Sequence, residues 1–326
     1  MLEMLNLSDD SFSTRNLLQG NTTKAEKLWQ KNGLDGLELL CCEQWNPELF
    51  PAKWIKGCHL LFWPNWLDFW RNDKKALWAE FGSAENIAAY YGGTRADWLE
   101  IYRNNFRQAA ACGARYVVFH VANARSSELY NRRFAYTSER VVEAAAEVIN
   151  ELADELPSDC WLLFENLWWP GLTLLEPHLA GYLLHKVRHE KTGFMLDTGH
   201  MMNTNTALRS EAEAVCYILG TAAKLGSLQR RILGMHLHAS FSGAFVERTR
   251  RVHAKEVPQA LSWQQSGDYV LRVDAHQPFR TSIVRHLVNT LQPQYLVHEF
   301  LPDSWEDWNS KVRIQCSSLH GQGLMR

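Results

Sequence analysis

The sequence has no excess of charge of either sign and no long apolar run. Its 34 lysine and arginine side chains nearly balance 36 aspartate and glutamate side chains, leaving a net charge of -2 at pH 7. A protein that binds nucleic acid through phosphates usually carries a basic excess, so the composition argues against that class of partner. No apolar stretch reaches membrane-spanning length, and no basic segment precedes an apolar one at the start. We therefore expect a cytoplasmic protein with no membrane partner.

The seven cysteines contain no CxxC pair. Cys41 and Cys42 are adjacent, and the others are isolated. This spacing argues against a zinc ribbon and against a disulfide framework, so we expect reduced thiols that are mostly buried. Low-complexity segments, charge blocks and short repeats are also lacking. Because barrels commonly exceed the length of a typical domain, we expect one domain over 1–326.

What the sequence does have is an alternation of short apolar segments and helical segments, which is typical of successive βα units. Helices are predicted at 23–31, 98–112 and 137–156 and from about 305, with an insertion at about 239–270 followed by an extended segment at 270–274. Eight βα units in this order predict an α/β fold, a closed (β/α)8 TIM barrel, rather than an open doubly wound sheet. The predicted strands are 2–7, 34–40, 55–61, 115–120, 160–165, 192–197, 232–238 and 295–299.

Histidine or carboxylate side chains stand near the carboxyl ends of six of these strands. Because barrel strands are parallel, their carboxyl ends all face one mouth. Nitrogen and carboxylate ligands that converge there suit zinc, manganese or a similar divalent ion, so we predict a divalent-metal site. The candidate ligands are His59, His120, Glu165, Asp197, His236 and Glu299, with His200 just after the sixth strand.

Asp274 and His276 form a second candidate pair. Residues two apart in an extended segment have side chains on one side, and this pair precedes the eighth strand, where a loop would cover the mouth. Pro278 follows and stiffens the segment. We predict that both residues are metal ligands, the alternative being an ordinary polar loop.

Tryptophan is abundant, with fourteen residues. Adjacent tryptophans just after strand ends are hard to bury entirely in a core, although a large core absorbs many aromatic residues. We predict that some of those after the third and fifth strands contact substrate, together with two polar neighbours. The predicted substrate contacts are Trp63, Trp66, Asn166, Trp168, Trp169 and His238.

Together these residues resemble the xylose isomerase-like TIM barrel superfamily, whose best-defined metal hydrolase branch is endonuclease IV (AP endonuclease family 2). The resemblance spans nearly the whole chain and includes Phe164-Glu165-Asn166, Leu196-Asp197-Thr198-Gly199-His200, and His236-Leu237 with Ser240. It implies nine ligands around three zinc ions. By this resemblance Glu165 bridges two ions, His59 and His120 complete the first site, Asp197, His236 and Glu299 the second, and His200, Asp274 and His276 the third.

Three segments depart from the endonucleases. His238-Ala239-Ser240-Phe241 stands where they have Asn-Asp-Ser-Lys, Gln277-Pro278-Phe279-Arg280 replaces a glycine-rich loop, and Val121-Ala122-Asn123 replaces Pro-Gly. With the near-neutral charge, these differences argue against DNA as substrate. Cobamide-remodelling hydrolases belong to the same superfamily, and the aromatic loop after His59 resembles theirs. We therefore expect a small-molecule or corrinoid-sized substrate.

Three functions are compatible with this site. In a hydrolase of a phosphodiester or amide bond, clustered ions lower the pKa of a bound water. In a sugar isomerase or epimerase, one ion polarises a carbonyl while Glu165 and Glu299 act as acid and base, and His200 contacts substrate. The hydrolase uses more of the candidate ligands and is favoured. A barrel that only binds a ligand is the third function, and the complete ligand set argues against it. The oligomeric state is not indicated by the sequence.

Overall fold

The computed structural model describes residues 1–257 and 259–321. Its centre is a closed barrel in which each strand pairs in parallel with the next along the chain and β8 closes onto β1. The predicted (β/α)8 TIM barrel is confirmed. The strands are β1 Leu2–Ser8, β2 Gly36–Leu40, β3 Ile55–His59, β4 Tyr116–His120, β5 Trp161–Glu165, β6 Thr192–Asp197, β7 Ile232–Leu237 and β8 Tyr295–His298.

Helices separate successive strands and cover the outside of the barrel. Several begin at a residue whose side chain accepts a hydrogen bond from the first turn, as Thr94 and Ser304 do. Among the described residues the α-helices are α1 Thr23–Lys31, α2 Leu67–Arg71, α3 Lys74–Phe81, α4 Ala84–Tyr91, α5 Arg95–Ala111, α6 Ser138–Leu152, α7 Pro177–Lys186, α8 Thr198–Asn203, α9 Glu211–Lys224, α10 Gly243–His253, α11 Trp263–Val273, α12 Val284–Leu291 and α13 Trp305–His320.

The strands are buried on both faces, which explains their nearly continuous apolar sequences. Every residue of β6 and β7 is buried. Inside the barrel, Met4, Val118 and Leu163 belong to one apolar cluster, while a larger cluster fills the space between strands and helices. Apolar packing therefore occupies the barrel below the strand ends, and the polar side chains lie at the carboxyl-end mouth.

Two connections that begin at this mouth contain three or more α-helices. The β3–β4 connection contains α2, α3, α4 and α5, and the β7–β8 connection contains α10, α11 and α12. The predicted insertion at about 239–270 thus includes α10 and the first part of α11, and its Pro258 lies outside the described residues. None of the helices in the described ranges is long and apolar enough to span a membrane.

The prediction of an extended segment at 270–274 is wrong. Val270 lies within α11, and Asp274 follows the last residue of this helix. Tyr269 and Val273 are both buried and four residues apart, which is the spacing of one helix face. His276 adopts a positive φ of 43°, so the segment turns sharply back to the barrel mouth. Asp274 and His276 nevertheless reach the same site.

Candidate metal centre

The nine predicted ligands all lie at the carboxyl-end mouth of the barrel. Strand register explains two of the neighbour relations, because His120 pairs with Glu165 between β4 and β5, and Asp197 pairs with His236 between β6 and β7. Glu165, Asp197 and His236 are completely buried, and the other six are buried or nearly so. The chain therefore places a dense group of imidazoles and carboxylates out of water.

The first set of atoms joins β3, β4 and β5. His59 Nε2 lies 3.1 Å from Glu165 Oε2 and 3.1 Å from His120 Nε2. His120 Nε2 lies 3.0 Å from the same carboxylate oxygen. Three ligand-type atoms thus converge on one point, and they belong to the residues that the resemblance assigned to the first site.

The second set uses the other oxygen of the same carboxylate. Glu165 Oε1 is 3.3 Å from His236 Nδ1, which is 3.4 Å from Glu299 Oε2 and 3.8 Å from Asp197 Oδ2. Glu165 therefore faces both sets with different oxygens, which is the arrangement that a bridging ligand requires.

The third set lies around Asp274. Its Oδ2 is 3.1 Å from His200 Nε2 and 3.4 Å from His276 Nε2. Ser240 donates a hydrogen bond to the other oxygen at 3.0 Å, which orients the carboxylate. His276 also lies near Glu299, with 3.9 Å between Nε2 and Oε2. The third set is consequently next to the second.

Hydrogen bonds to the far side of the rings direct nitrogen lone pairs into the site. His59 Nδ1 is 2.8 Å from the carbonyl oxygen of Leu60, and His200 Nδ1 is 2.9 Å from that of Asn166. His276 Nδ1 lies 2.9 Å from the carbonyl oxygen of Asp274. Since a carbonyl only accepts, each ring donates from Nδ1 and leaves Nε2 available as a ligand.

Burial and neighbouring charges perturb the titration of these groups. Burial raises the pKa of Glu299 to about 7, against the opposing effect of His236. Burial acts in the same direction on Glu165, but His120 and His236 hold the pKa of this carboxyl well below its usual range. Burial lowers the pKa of His120 to about 4. Of these three groups only Glu299 holds a proton near neutral pH, so cation binding would be coupled to its release.

The donor set fits a divalent ion. Glu165 Oε1, His236 Nδ1 and Glu299 Oε2 are buried and have no hydrogen-bond partner among the described residues. Buried polar atoms are rarely left unpaired. The two carboxylate oxygens lie 3.3 and 3.4 Å from His236 Nδ1, so the three atoms converge. Nitrogen and carboxylate oxygen are ligands of zinc and manganese alike. A cation between them would satisfy all three atoms.

His238, which the sequence analysis assigned to substrate, lies among the ligands instead of on the cavity wall. Its Nε2 is 2.9 Å from Asp197 Oδ2 and 3.5 Å from Glu299 Oε2. Its ring stacks on that of His276, with 4.1 Å between centroids. The signal in the sequence is the spacing from His236, because residues two apart at a strand end point to one side.

A cavity of about 270 Å³ opens above these atoms. His120, His200 and Glu299 contribute to its lining, so all three sets are accessible from it. Phe62, whose ring stacks on His120 at 4.3 Å, forms part of its wall and was not among the predicted contacts.

Three of the predicted tryptophans line this cavity, namely Trp63, Trp168 and Trp169. Trp66 does not, since it is 3% exposed and its indole N–H donates to the carbonyl oxygen of Ala122. Asn166 is fully buried, and its amide exchanges two hydrogen bonds with the backbone of Asp197. Trp66 and Asn166 therefore lie in positions that support the site from behind.

Glu38 is a further residue of the site that the sequence analysis did not select. It lies on β2, is 1% exposed, and its Oε1 is 2.9 Å from His236 Nε2. The available signal was a carboxylate in the middle of the apolar segment of β2, two residues before its end.

Comparison with known proteins places the chain among barrels of this type. A sugar phosphate isomerase/epimerase from Parabacteroides distasonis is 10% identical, with a TM-score of 0.51 and coverage of 100% of this chain and 96% of that one. A D-allulose 3-epimerase from Methylomonas sp. is 11% identical, with a TM-score of 0.50 and coverage of 99% and 95%. Endonuclease IV from Thermus thermophilus is 17% identical, with a TM-score of 0.48 and coverage of 98% and 99%.

At these identities the isomerase/epimerase and the D-allulose 3-epimerase show a common fold alone. No curated protein matches the sequence. A family model described as xylose isomerase-like TIM barrel matches residues 28–279, which is most of the 326-residue chain. The chain therefore belongs to the xylose isomerase-like TIM barrel family.

Proposed function

We propose that this protein is a multi-ion hydrolase that cleaves a phosphodiester or amide bond in a bulky, partly apolar substrate other than nucleic acid. The observation that supports it is that ligand-type atoms lie close together in three adjoining sets, around Glu165, His236 and Asp274. Glu165 belongs to the first two sets, and Glu299 of the second lies near His276 of the third. A single ion uses only one of these sets. Bound ions would supply a Lewis acid and lower the pKa of a coordinated water.

The cavity lining supports an apolar substrate. Phe62, Leu271 and Leu301 are 45%, 54% and 48% exposed, and all three line the cavity. Exposed apolar side chains that cluster at a cavity commonly mark a binding surface. They would hold the apolar part of the substrate and exclude water around the scissile bond.

A second cavity of about 250 Å³ supports a large substrate, because it shares Pro64, Trp169 and Val270 with the first. Among the described residues that line the first cavity there is no lysine or arginine. Phosphate backbones of nucleic acids are usually bound by those side chains. We therefore propose a corrinoid as the first substrate to test.

A sugar isomerase or epimerase is the second candidate. The set of Glu165, Asp197, His236 and Glu299 has its ligand-type atoms close together and would suffice for one ion. In that case Glu165 and Glu299 would move a proton on opposite faces of a sugar. His59, His120, Asp274 and His276 would then contact substrate only.

The number of ions separates the two candidates. After reconstitution with zinc or manganese, elemental analysis should give more than one ion per chain, and His120→Ala should lower that ratio by removing a ligand of the first set. His189→Ala is the matched control, because this buried histidine bonds the carbonyl oxygen of Cys160 and is not among the residues that line the cavity. A ratio near one that His120→Ala leaves unchanged would contradict the multi-ion proposal.

The substrate is tested separately with the reconstituted protein. A complete corrinoid, a DNA duplex with an abasic site and a ketose should each be incubated with it and the products identified. We expect hydrolysis of the corrinoid and no reaction of the other two. Isomerisation of the ketose by a single-ion protein would support the second candidate.

A further inference from the structure

The ring of His236 is held from both sides. Its Nδ1 faces Glu165 Oε1 and Glu299 Oε2 at 3.3 and 3.4 Å. Its Nε2 faces Glu38 Oε1 at 2.9 Å on the opposite side. Glu38 is within hydrogen-bond distance and its carboxylate only accepts, whereas Nδ1 has no hydrogen-bond partner among the described residues. The proton of the neutral ring therefore lies on Nε2 and the lone pair on Nδ1. The contact with Glu38 therefore selects the tautomer that can bind a cation.

Glu38 is itself held by a residue that lies two strands away in the barrel. The hydroxyl group of Tyr116 donates a hydrogen bond to Glu38 Oε2 at 2.7 Å. Tyr116 lies on β4, is completely buried, and its ring packs 4.4 Å from that of Tyr295. Each oxygen of Glu38 thus has one fixed partner, and the carboxylate cannot rotate without losing one of them.

Gly57 makes this contact possible. It lies on β3, the strand between those of Glu38 and Tyr116, and it pairs in register with Glu38. A Cβ atom on this glycine would lie 2.1 Å from Cζ of the Tyr116 ring, closer than any real Cβ contact. The missing side chain provides the space through which the phenol reaches two strands along the barrel.

We propose that Glu38 is a positioning residue for the metal ligand His236, and that Tyr116, accommodated by Gly57, holds Glu38 in place. Carboxylates that accept a hydrogen bond from a ligating histidine fix its orientation and increase its basicity. The inference rests on the metal centre of the proposed function and is independent of the reaction catalysed there.

The test measures metal affinity without any substrate. Zinc affinity is determined by competition with a chelator, and the coordination geometry is followed by the visible spectrum of bound Co²⁺. We expect Glu38→Ala to lower the affinity for one of the bound ions about 10–100-fold, the usual effect of removing such a partner. Glu38→Gln keeps an acceptor oxygen and should lower the metal affinity less than Glu38→Ala does. Tyr116→Phe should also lower it less than Glu38→Ala.

A selective effect distinguishes positioning from a general structural role. We expect the affinity for the ion of the second set to fall, while the affinity for ions bound by His59 and His120 stays unchanged. Glu128→Ala is the control, because Glu128 is also buried but accepts hydrogen bonds from the backbone N–H groups of Arg125 and Ala135. Wild-type affinity in Glu38→Ala, or a loss at all sites in proportion to lowered thermal stability, would overturn the proposal.

Two variants of Gly57 test the part assigned to Tyr116. Gly57→Ala should displace the phenol and lower both thermal stability and metal affinity. Adding Tyr116→Leu should relieve the clash and restore stability, but the affinity should stay low because the hydroxyl is gone. A double variant that regains wild-type affinity would overturn the role of Tyr116. If these effects hold but no hydrolysis is found, the positioning role stands and the proposed function fails.

Discussion

At the residue scale, Gly199 shows how the backbone makes room for the centre. It follows Asp197 by two residues, at the start of α8. A Cβ atom there would lie 2.0 Å from Cε1 of His238. The glycine therefore allows the ring of His238 to approach the backbone while its Nε2 contacts Asp197. The sequence shows the glycine, but only the fold shows which ring needs the space.

Gly199→Ala should destabilise the protein by about 1–3 kcal/mol, the usual cost of inserting an atom into a packed interior. Displacement of His238 should also weaken metal binding. The free energy of unfolding in urea is the measurement. Gly220→Ala is the control, because Gly220 lies within α9 with no atom within 4 Å of the added Cβ, and should gain up to about 1 kcal/mol. Equal effects in the two variants would contradict the packing argument.

At the element scale, β1, β8 and α13 meet at a cluster that has metal-ligand residue types but a different role. Glu3, His298 and Cys316 have ligand-type atoms close together. Gln315 donates to His298 Nδ1 at 2.9 Å and to the carbonyl oxygen of Leu237 at 2.7 Å. Its amide oxygen accepts from the N–H of Phe279, so its orientation is fixed. His298 Nδ1 therefore accepts, and Nε2 keeps its proton and donates to Glu3.

This network closes the barrel at the seam between first and last strands. Glu3 Oε1 accepts from His298 at 2.7 Å and from His320, the last residue of α13, at 2.8 Å. Burial acts to raise the pKa of Glu3, but these hydrogen bonds lower it to about 2. A carboxyl whose pKa is lower in the folded state stabilises the fold above its unfolded pKa, and this contribution is lost as the pH falls toward the folded value.

We expect the stability difference between wild type and Glu3→Gln to shrink as the pH falls from about 5 to about 2. Its largest value should be about 3 kcal/mol, because one pKa unit corresponds to about 1.4 kcal/mol. Urea unfolding at a series of pH values measures it. Glu143→Gln is the control, as this glutamate is exposed on α6 and its substitution should leave the stability nearly unchanged across this pH range. A difference that stays constant down to pH 2 would refute the assignment.

At the scale of the whole molecule, metal binding and folding should be coupled. The second set alone brings together ligands from β5, β6 and β7 and the residue after β8. An unfolded chain cannot hold these atoms together, so an ion binds the folded state and stabilises it. A ligand at 100 times its dissociation constant contributes about 2.7 kcal/mol.

Zinc or manganese should therefore raise the thermal unfolding temperature by several degrees, and a chelator should reverse the effect. In Glu165→Gln the rise should fall to less than half, because one carboxylate serves two sets, and turnover should be abolished. Glu128→Gln removes a buried carboxylate outside the centre and should keep the full metal-dependent rise. A normal rise in Glu165→Gln would mean that the metal site has been assigned wrongly.

The sequence determined much of the architecture. Alternating apolar and helical segments predicted the closed barrel. Polar residues at strand ends indicated six of the nine candidate ligands, because parallel strands bring all their carboxyl ends to one mouth. The prediction of an extended segment at 270–274 was wrong, because a short apolar run followed by an acid is compatible with the end of a helix as well as with a strand.

Only the tertiary structure decided which atoms face each other. Glu38 meets His236 across 198 residues, and no local pattern in the chain indicates that contact. Trp63 and Trp66 are three residues apart, yet one lines the cavity and the other packs behind it. His238 joined the ligands because Gly199 leaves room for its ring. Periodicity depends on the local backbone and can be read from the sequence, whereas tautomers, shared carboxylates and cavity walls depend on side chains that meet only when the barrel closes.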